Sequence, residues 1–373
     1  MAAVAASVAG RLALAAESPA PAPPRFAYVG CNTAREYDGH GKGISVYRID
    51  PESRAWSQIQ LIEALNPAFL VLDHRQDFLY AAHGNATYVT AYAVDRQSGQ
   101  LTYLNQQPTG GRNAIHLAVD PGNRFLLAAN YTSGNVSVFP IDARGALQTV
   151  AQSIALSGKP GPHRDQQPGS HPHEIVFDRT GRFVAVPDKG LDKIFVFRFD
   201  SAGKLIPADP PFVTTRAGAG PRHMAFHPNG HNAYVINQLD STVTAYAYDA
   251  GRGTLRPLQI VPTLPTTYTG DNDGAEILIS PSGKFVYASN RGMDTIGILE
   301  VNAATGVLTP VAWQPTEGKT PRFMAMSSLG DCLYAANQQS DSIVPFAVDP
   351  ATGRLSSTGP VVKTGSPCCI AFR

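Results

Sequence analysis

The sequence predicts an all-β fold, a seven-bladed β-propeller of four-stranded antiparallel blades closed by pairing of its N- and C-terminal strands. Three observations predict it. One strand–turn–strand phrase recurs along the chain at a period of about fifty residues. The chain ends carry two halves of one further copy. Gly and Pro, 34 and 30 of 373 residues, fall at turn spacings throughout.

The phrase starts with an apolar run that suits a strand buried on both faces. Examples are Phe69-Leu70-Val71-Leu72, the run from Ile115 to Val119, and Ile277-Leu278-Ile279. Each run ends at a turn anchor: Asp73, Asp120, Asp178, His227, Ser280 and Ser327, spaced 47, 58, 49, 53 and 47 residues apart. Turns such as Pro121-Gly122-Asn123 and Pro228-Asn229-Gly230 follow, where Pro fixes φ and Gly or Asn tolerates positive φ. A second β-rich strand comes next, then an alternating third such as Val136-Ser137-Val138-Phe139. A fourth opens after a Gly turn, as at Thr352-Gly353-Arg354-Leu355. Six copies are complete. Phe26 to Cys31 reads as a second strand without a first, and Pro367 to Phe372 as a first without a second. Pairing them makes the seventh blade and removes the open edges.

That closure sets Cys31 beside Cys368 and Cys369. Buried free thiols are the simpler expectation, with a disulfide from Cys31 to either as the alternative. The four cysteines show no C-x-x-C spacing. Residues 1–25 read as a leader and 26–373 as one propeller domain. Met1 to Ala16 is small and apolar with one Arg, and a Pro/Ala linker follows. If the leader is a signal peptide, the mature protein is periplasmic or secreted; otherwise it is cytoplasmic. A net charge of +1 without a basic block gives no reason to expect a nucleic-acid partner. No apolar run reaches the ~18 residues of a membrane span. A monomer is expected.

In a propeller the first strand of each blade lines the central channel. Four positions before each anchor stand Phe69, His116, Glu174, His223, Glu276 and Phe323; one position earlier stand Ala68, Ile115, His173, Arg222, Ala275 and Arg322. Ionisable groups in innermost strands are costly unless paired, so packing alone would not choose them. The ends of the second strands add Asn130, Asp188, Asn237-Gln238 and Asn290-Arg291. His171, His173, Arg222, His223, Glu276, Arg291 and Arg322 are therefore expected around one mouth, where such a set clamps an anion, polarises a carbonyl and moves a proton. Taken singly, each is also compatible with a merely polar channel lining. The long segment from Ser157 to Ser170, with His163, Arg164 and Gln166, reads either as a cover for that mouth or as a tolerated insertion. No metal or cofactor is expected. His171-Pro172-His173 lacks a partner at a zinc interval, and Gly270 to Gly274 lacks EF-hand spacing and reads as a turn. No G-x-S-x-G is present.

Several of these phrases resemble the lactonase family of seven-bladed propellers, which includes 6-phosphogluconolactonases and a muconate lactonising enzyme. They are His171-Pro172-His173 with Val186-Pro187-Asp188-Lys189-Gly190-Leu191-Asp192, Gly220-Pro221-Arg222-His223-Met224, Tyr234-Val235-Ile236-Asn237, and Ala275-Glu276-Ile277 with Ser289-Asn290-Arg291-Gly292. The resemblance implies hydrolysis of a sugar-acid or related lactone by a His, Arg, Glu, Arg quartet, of which His173, Arg222 and Arg291 are present. The family's usual Asn-Glu-Leu is here Asn237-Gln238-Leu239, and Gln cannot accept a proton as a base. The expected site thus has His173, Arg222, Glu276 and Arg291 as catalytic candidates, with His173 or Glu276 as base. His171, His223, Gln238, Arg322, Arg164 and Asn290 are the candidate substrate contacts. The rival expectation is a catalytically impaired propeller that binds an anionic ligand or a protein at the same mouth; a redox or lyase activity would need a cofactor motif that the sequence does not show.

Overall fold

The computed structural model describes residues 23–35 and 38–373. Seven antiparallel sheets form the ring, and the predicted closure is seen directly. Pro367–Phe372 lies against Phe26–Cys31, followed outward by Gly43–Ile49 and Trp56–Glu63. Tyr28 pairs with Ala371 and Gly30 with Cys369, while the Arg25 and Phe26 amides both donate to the Arg373 carbonyl. The expected leader lies outside the described residues as far as residue 22. All four cysteines are buried free thiols.

The six other blades begin at inner strands Pro67–Leu72, Ala114–Val119, Val176–Phe177, Pro221–Phe226, Asp273–Ile279 and Pro321–Met326. Their second strands are sandwiched between neighbouring blades, so Phe183–Asp188 and Cys332–Asn337 are buried at every position. The inner strands, expected to be buried on both faces, are only partly so, since Phe69, Val71 and Leu72 of Pro67–Leu72 and both residues of Val176–Phe177 stay half-buried. The anchors act through their side chains. Asp73 accepts from the Asp77 and Phe78 amides at 2.7 and 2.9 Å, and Asp120 from Arg124 and Phe125 at 2.6 and 2.7 Å. Ser280 and Ser327 serve the equivalent amides of Phe285 and Cys332 with a hydroxyl.

Blades are tied to one another by a repeated contact. Tyr28, Tyr80, Tyr234 and Tyr287 on second strands donate to the carbonyls of Gly99, Gly145, Gly306 and Gly353 in the next blade. Each such glycine lies in the connection between the third and fourth strands of its blade. At Gly99, φ is +76° and a Cβ would come within 2.3 Å of the Phe26 ring, so both conformation and space demand glycine.

A β-bulge recurs near the start of the inner strands. Residues Pro67 and Phe69 pair with His83 and Ala82, leaving Ala68 unopposed. The same slip isolates Ile115, Arg222, Arg322 and Cys368 in their blades, and one occurs between Gly274 and Ile277. In the His173 blade the strand proper is only Val176–Phe177, preceded by a lone bridge from Pro172 to Asp188, and the spacing again leaves one extra residue. A bulge re-aims side chains. Here it lets two consecutive residues per blade serve the channel, at two depths. No described helix is long and apolar enough to cross a membrane.

Candidate functional site

Two repeated positions build a cavity of about 370 Å³ at one mouth of the channel. The first is the bulged residue, which contributes Ala68, Ile115, His173, Arg322 and Cys368. The second is the residue just beyond the buried end of each second strand, where all seven members line the cavity: Asn32, Gly84, Tyr131, Lys189, Gln238, Arg291 and Gln338. Loop residues Asn66, Asn85, Asn113 and Gln166 and the thiol-bearing Cys31 complete it.

The charges are lopsided. Lys189, Arg291 and Arg322 line the cavity, and no carboxylate is among the described lining residues. Arg322 has no hydrogen-bonded partner among the described residues. Arg291 reaches the Gly274 carbonyl at 3.4 Å and the half-exposed Asp273 carboxylate at 3.6 Å, while its buried Nε has no partner. Burial and the nearby Arg322 guanidinium lower its pKa to about 10. Lys189 donates to the Gln166 side chain at 2.8 Å and sits 5.2 Å above the Tyr131 ring. Burial lowers its pKa to about 8; Arg291, Arg222 and Arg322 push the same way and Asp273 opposes them. The other side is amide-rich. Asn66 braces Thr33 and Ala34, and Asn113 braces Asn85 and Thr132.

His173 is the basic group of the lining. Its Nδ1 lies 3.2 Å from His223 Nε2, and its Nε2 has no protein partner among the described residues. Burial first, then Arg222, His223, Arg322 and Lys189, hold its pKa well below the usual range, so the ring is neutral at neutral pH, with one nitrogen protonated and the other an acceptor according to what Nδ1 meets.

Beneath the cavity lies a second ring: Phe69, His116, Glu174, His223, Glu276, Phe323 and Cys369. The Phe69 ring packs against His116, tilted by 33° with centroids 3.8 Å apart, and His223 Nδ1 lies 3.0 Å from Glu276 Oε1. Burial raises the pKa of both Glu174 and Glu276 and lowers those of His116 and His223. Arg222 joins the rings. It is buried, donates to the Ala275 carbonyl, and feels Arg291 and Arg322 on one side and Glu276 and Glu174 on the other.

The structure therefore places His173, Gln238, Arg291 and Arg322 in the cavity lining. It does not place Glu276 there, because the bulge puts the residue four before each anchor in the lower ring; Glu276 contacts His223 instead. His223 and Arg222 are likewise behind the lining. His171 stacks on Tyr131 at 4.5 Å and engages its carbonyl at 3.0 Å, so it fixes a lining residue rather than being one. Asn290 is consumed by Thr263 and Asn272. Arg164 is exposed and outside the cavity, although its loop is firmly seated: the buried Gln167 amide donates to the Lys189 carbonyl and to Asp192, both at 2.8 Å. Among the described residues no cluster of three or more potential metal ligands occurs.

Sequence reasoning missed Tyr131 and Lys189. The signal was in the repeat itself. Reading each second strand one residue past its buried Asn or Asp finds Tyr131 and Lys189 in register with Gln238 and Arg291.

Comparison with known proteins bears on what this arrangement does. Residues 26–372 match the family described as lactonase, seven-bladed β-propeller. The chain is 36% identical over 349 residues to a 6-phosphogluconolactonase of Bacillus subtilis, covering 92% of this chain and 97% of that one. It is 35% identical over 299 residues to a 6-phosphogluconolactonase of Pectobacterium carotovorum, covering 80% and 83%. The solved structure of a periplasmic gluconolactonase from Pseudomonas aeruginosa superposes with a TM-score of 0.86 at 32% identity, covering 93% and 98%.

Proposed function

The chain belongs to the lactonase family of seven-bladed β-propellers, and we propose that its cavity hydrolyses an anionic sugar-acid lactone with His173 as the base. The observation that carries this reading is the lining itself: a neutral histidine with a free ring nitrogen set among three cations and no carboxylate. His173 Nε2 takes a proton as water oxygen attacks the ring carbonyl carbon. Arg291 and Arg322 hold the developing oxyanion together with a carboxylate or phosphate on the substrate, an effect that reaches several kcal/mol when donors are preorganised. As the ring C–O bond breaks, the imidazolium returns its proton to the departing oxygen, and a hydroxy acid leaves. The amide-rich side, Asn32, Asn85 and Gln338, suits the hydroxyls of a polyol.

Hydrolysis of a panel of sugar-acid lactones by wild type, Arg291→Ala and Arg322→Ala tests this. Loss in both variants is expected; equal rates in all three proteins would refute it. A second reading, binding without turnover, is favoured by Gln238, which lines the cavity where the resemblance calls for a carboxylate. A wild type that binds a sugar acid without turning over its lactone, and a Gln238→Glu variant that gains turnover, would establish it. The apolar run from Met1 to Ala16 and the periplasmic relative support export of this protein; mass spectrometry of the mature N-terminus after expression decides it.

A further inference from the structure

The hydrogen bonds behind His173 run unbroken into the channel. His173 Nδ1 faces His223 Nε2 at 3.2 Å, and His223 Nδ1 faces the Glu276 carboxyl oxygens at 3.0 and 3.1 Å. All three residues are at least 94% buried, so bulk water does not serve these atoms. Each neutral imidazole has one N–H and one lone pair, and the state of one end of such a chain dictates the other. An ionised Glu276 accepts from His223 Nδ1–H. His223 Nε2 then accepts from His173 Nδ1–H, which leaves the cavity-facing Nε2 of His173 as a lone pair. A protonated Glu276 donates instead; both rings reverse, and His173 Nε2 carries the hydrogen.

We infer that His223 and Glu276 are positioning residues that act through His173, selecting whether its cavity-facing nitrogen is a proton acceptor or a donor. The inference rests on the reading of His173 as the base. The neighbouring pair is not part of this chain, since His116 Nε2 stands 3.7 Å from Glu174, whose other oxygen takes the Met224 amide at 2.6 Å. Glu276 also accepts the Ile277 amide at 3.0 Å. The charged and titratable groups around it are His223 and Arg222 from the adjacent blade, Arg322 from the other side, Glu174 across the channel, and Cys369 from the closing strand. His116 approaches His223 at 5.3 Å, and Lys189 acts on His173. Burial favours the protonated carboxyl and Arg222 opposes it, so the switch lies above the ordinary carboxylate range, and His173 Nε2 acts as the base only as pH rises through it.

The test is nitrogen-15 NMR of the imidazoles in the full chain across pH, with kinetics alongside. In wild type at high pH, His173 and His223 should both be Nδ1-protonated, and both should move to the Nε2-protonated form as pH falls. In Glu276→Gln the Ile277 amide holds the side-chain oxygen, so the amide NH₂ donates to His223. The Nε2-protonated form should persist at every pH, with kcat down ~10²–10⁴-fold and KM little changed. His223→Gln, able to donate to Glu276 and accept from His173, should retain the Nδ1-protonated His173 and serves if Glu276→Gln does not fold. The same His173 tautomer at every pH in wild type and Glu276→Gln would overturn the inference, as would loss of the Nδ1-protonated form in a folded His223→Gln. If the tautomers switch as stated but no lactone is turned over, the relay stands and the lactonase assignment of the base falls.

Discussion

The two rings of the channel come from consecutive residues on the same inner strands, and their chemistry differs throughout. The upper ring, with the residues that follow the second strands, is open and carries Arg322, Arg291, Lys189 and His173 without a carboxylate. The lower ring holds Glu174 and Glu276 against His116 and His223, with Phe69, Phe323 and Cys369 completing that layer. Desolvation explains the division. Cations lining the cavity are placed to meet an anion, whereas burial favours the protonated form of the lower-ring carboxyl groups, whose oxygens are occupied by His223 and by the Met224 and Ile277 amides. A bulge at one position in each blade is what separates two such layers by a single residue.

The largest expected effect comes from breaking the upper ring at its base. His173→Ala should lower kcat by ~10²–10⁴-fold, while the protein unfolds at nearly the same temperature, as calorimetry would show. A smaller effect separates binding from proton transfer. Lys189 is charged below its pKa of about 8 and neutral above it, so affinity for an anionic lactone should weaken as pH rises through that value. In Lys189→Met the KM should be higher at neutral pH and its pH dependence near 8 should disappear; an unchanged KM profile would remove Lys189 from substrate binding. The smallest effect on activity should come from outside both rings. Gly99→Ala forces a Cβ onto Phe26 in a left-handed backbone conformation, and should cost about 1–3 kcal/mol of stability in denaturant unfolding with kcat unchanged.

Much of this was legible in the repeat, because each blade must bury an apolar second strand and turn at a fixed interval. Anchors such as Asp73 and Asp120 are visible because a short side-chain oxygen, a carboxylate here and a hydroxyl at Ser280 and Ser327, recurs where the turn's amides need an acceptor. The channel columns followed from the same ruler, and His173, Gln238, Arg291 and Arg322 do line the cavity. Glu276 was expected there and lies below it, because a bulge leaves no mark in apolar periodicity and the depth of a column depends on it. Lys189 and Tyr131 escaped notice because each follows a buried polar strand end, Asp188 or Asn130, that looks like the functional residue itself. Asp188 in fact holds the Ser170 hydroxyl and the His171, Gly190 and Leu191 amides.

The central claim is that the cationic upper ring selects and hydrolyses an anionic lactone. It is tested most directly by comparing kcat/KM for a carboxylated or phosphorylated sugar lactone with that for its neutral counterpart, in wild type and Arg322→Ala. Wild type should prefer the anionic lactone by about tenfold or more, the worth of one charge-assisted hydrogen bond, and Arg322→Ala should lose most of that preference. Equal kcat/KM for the two lactones in both proteins would contradict the claim.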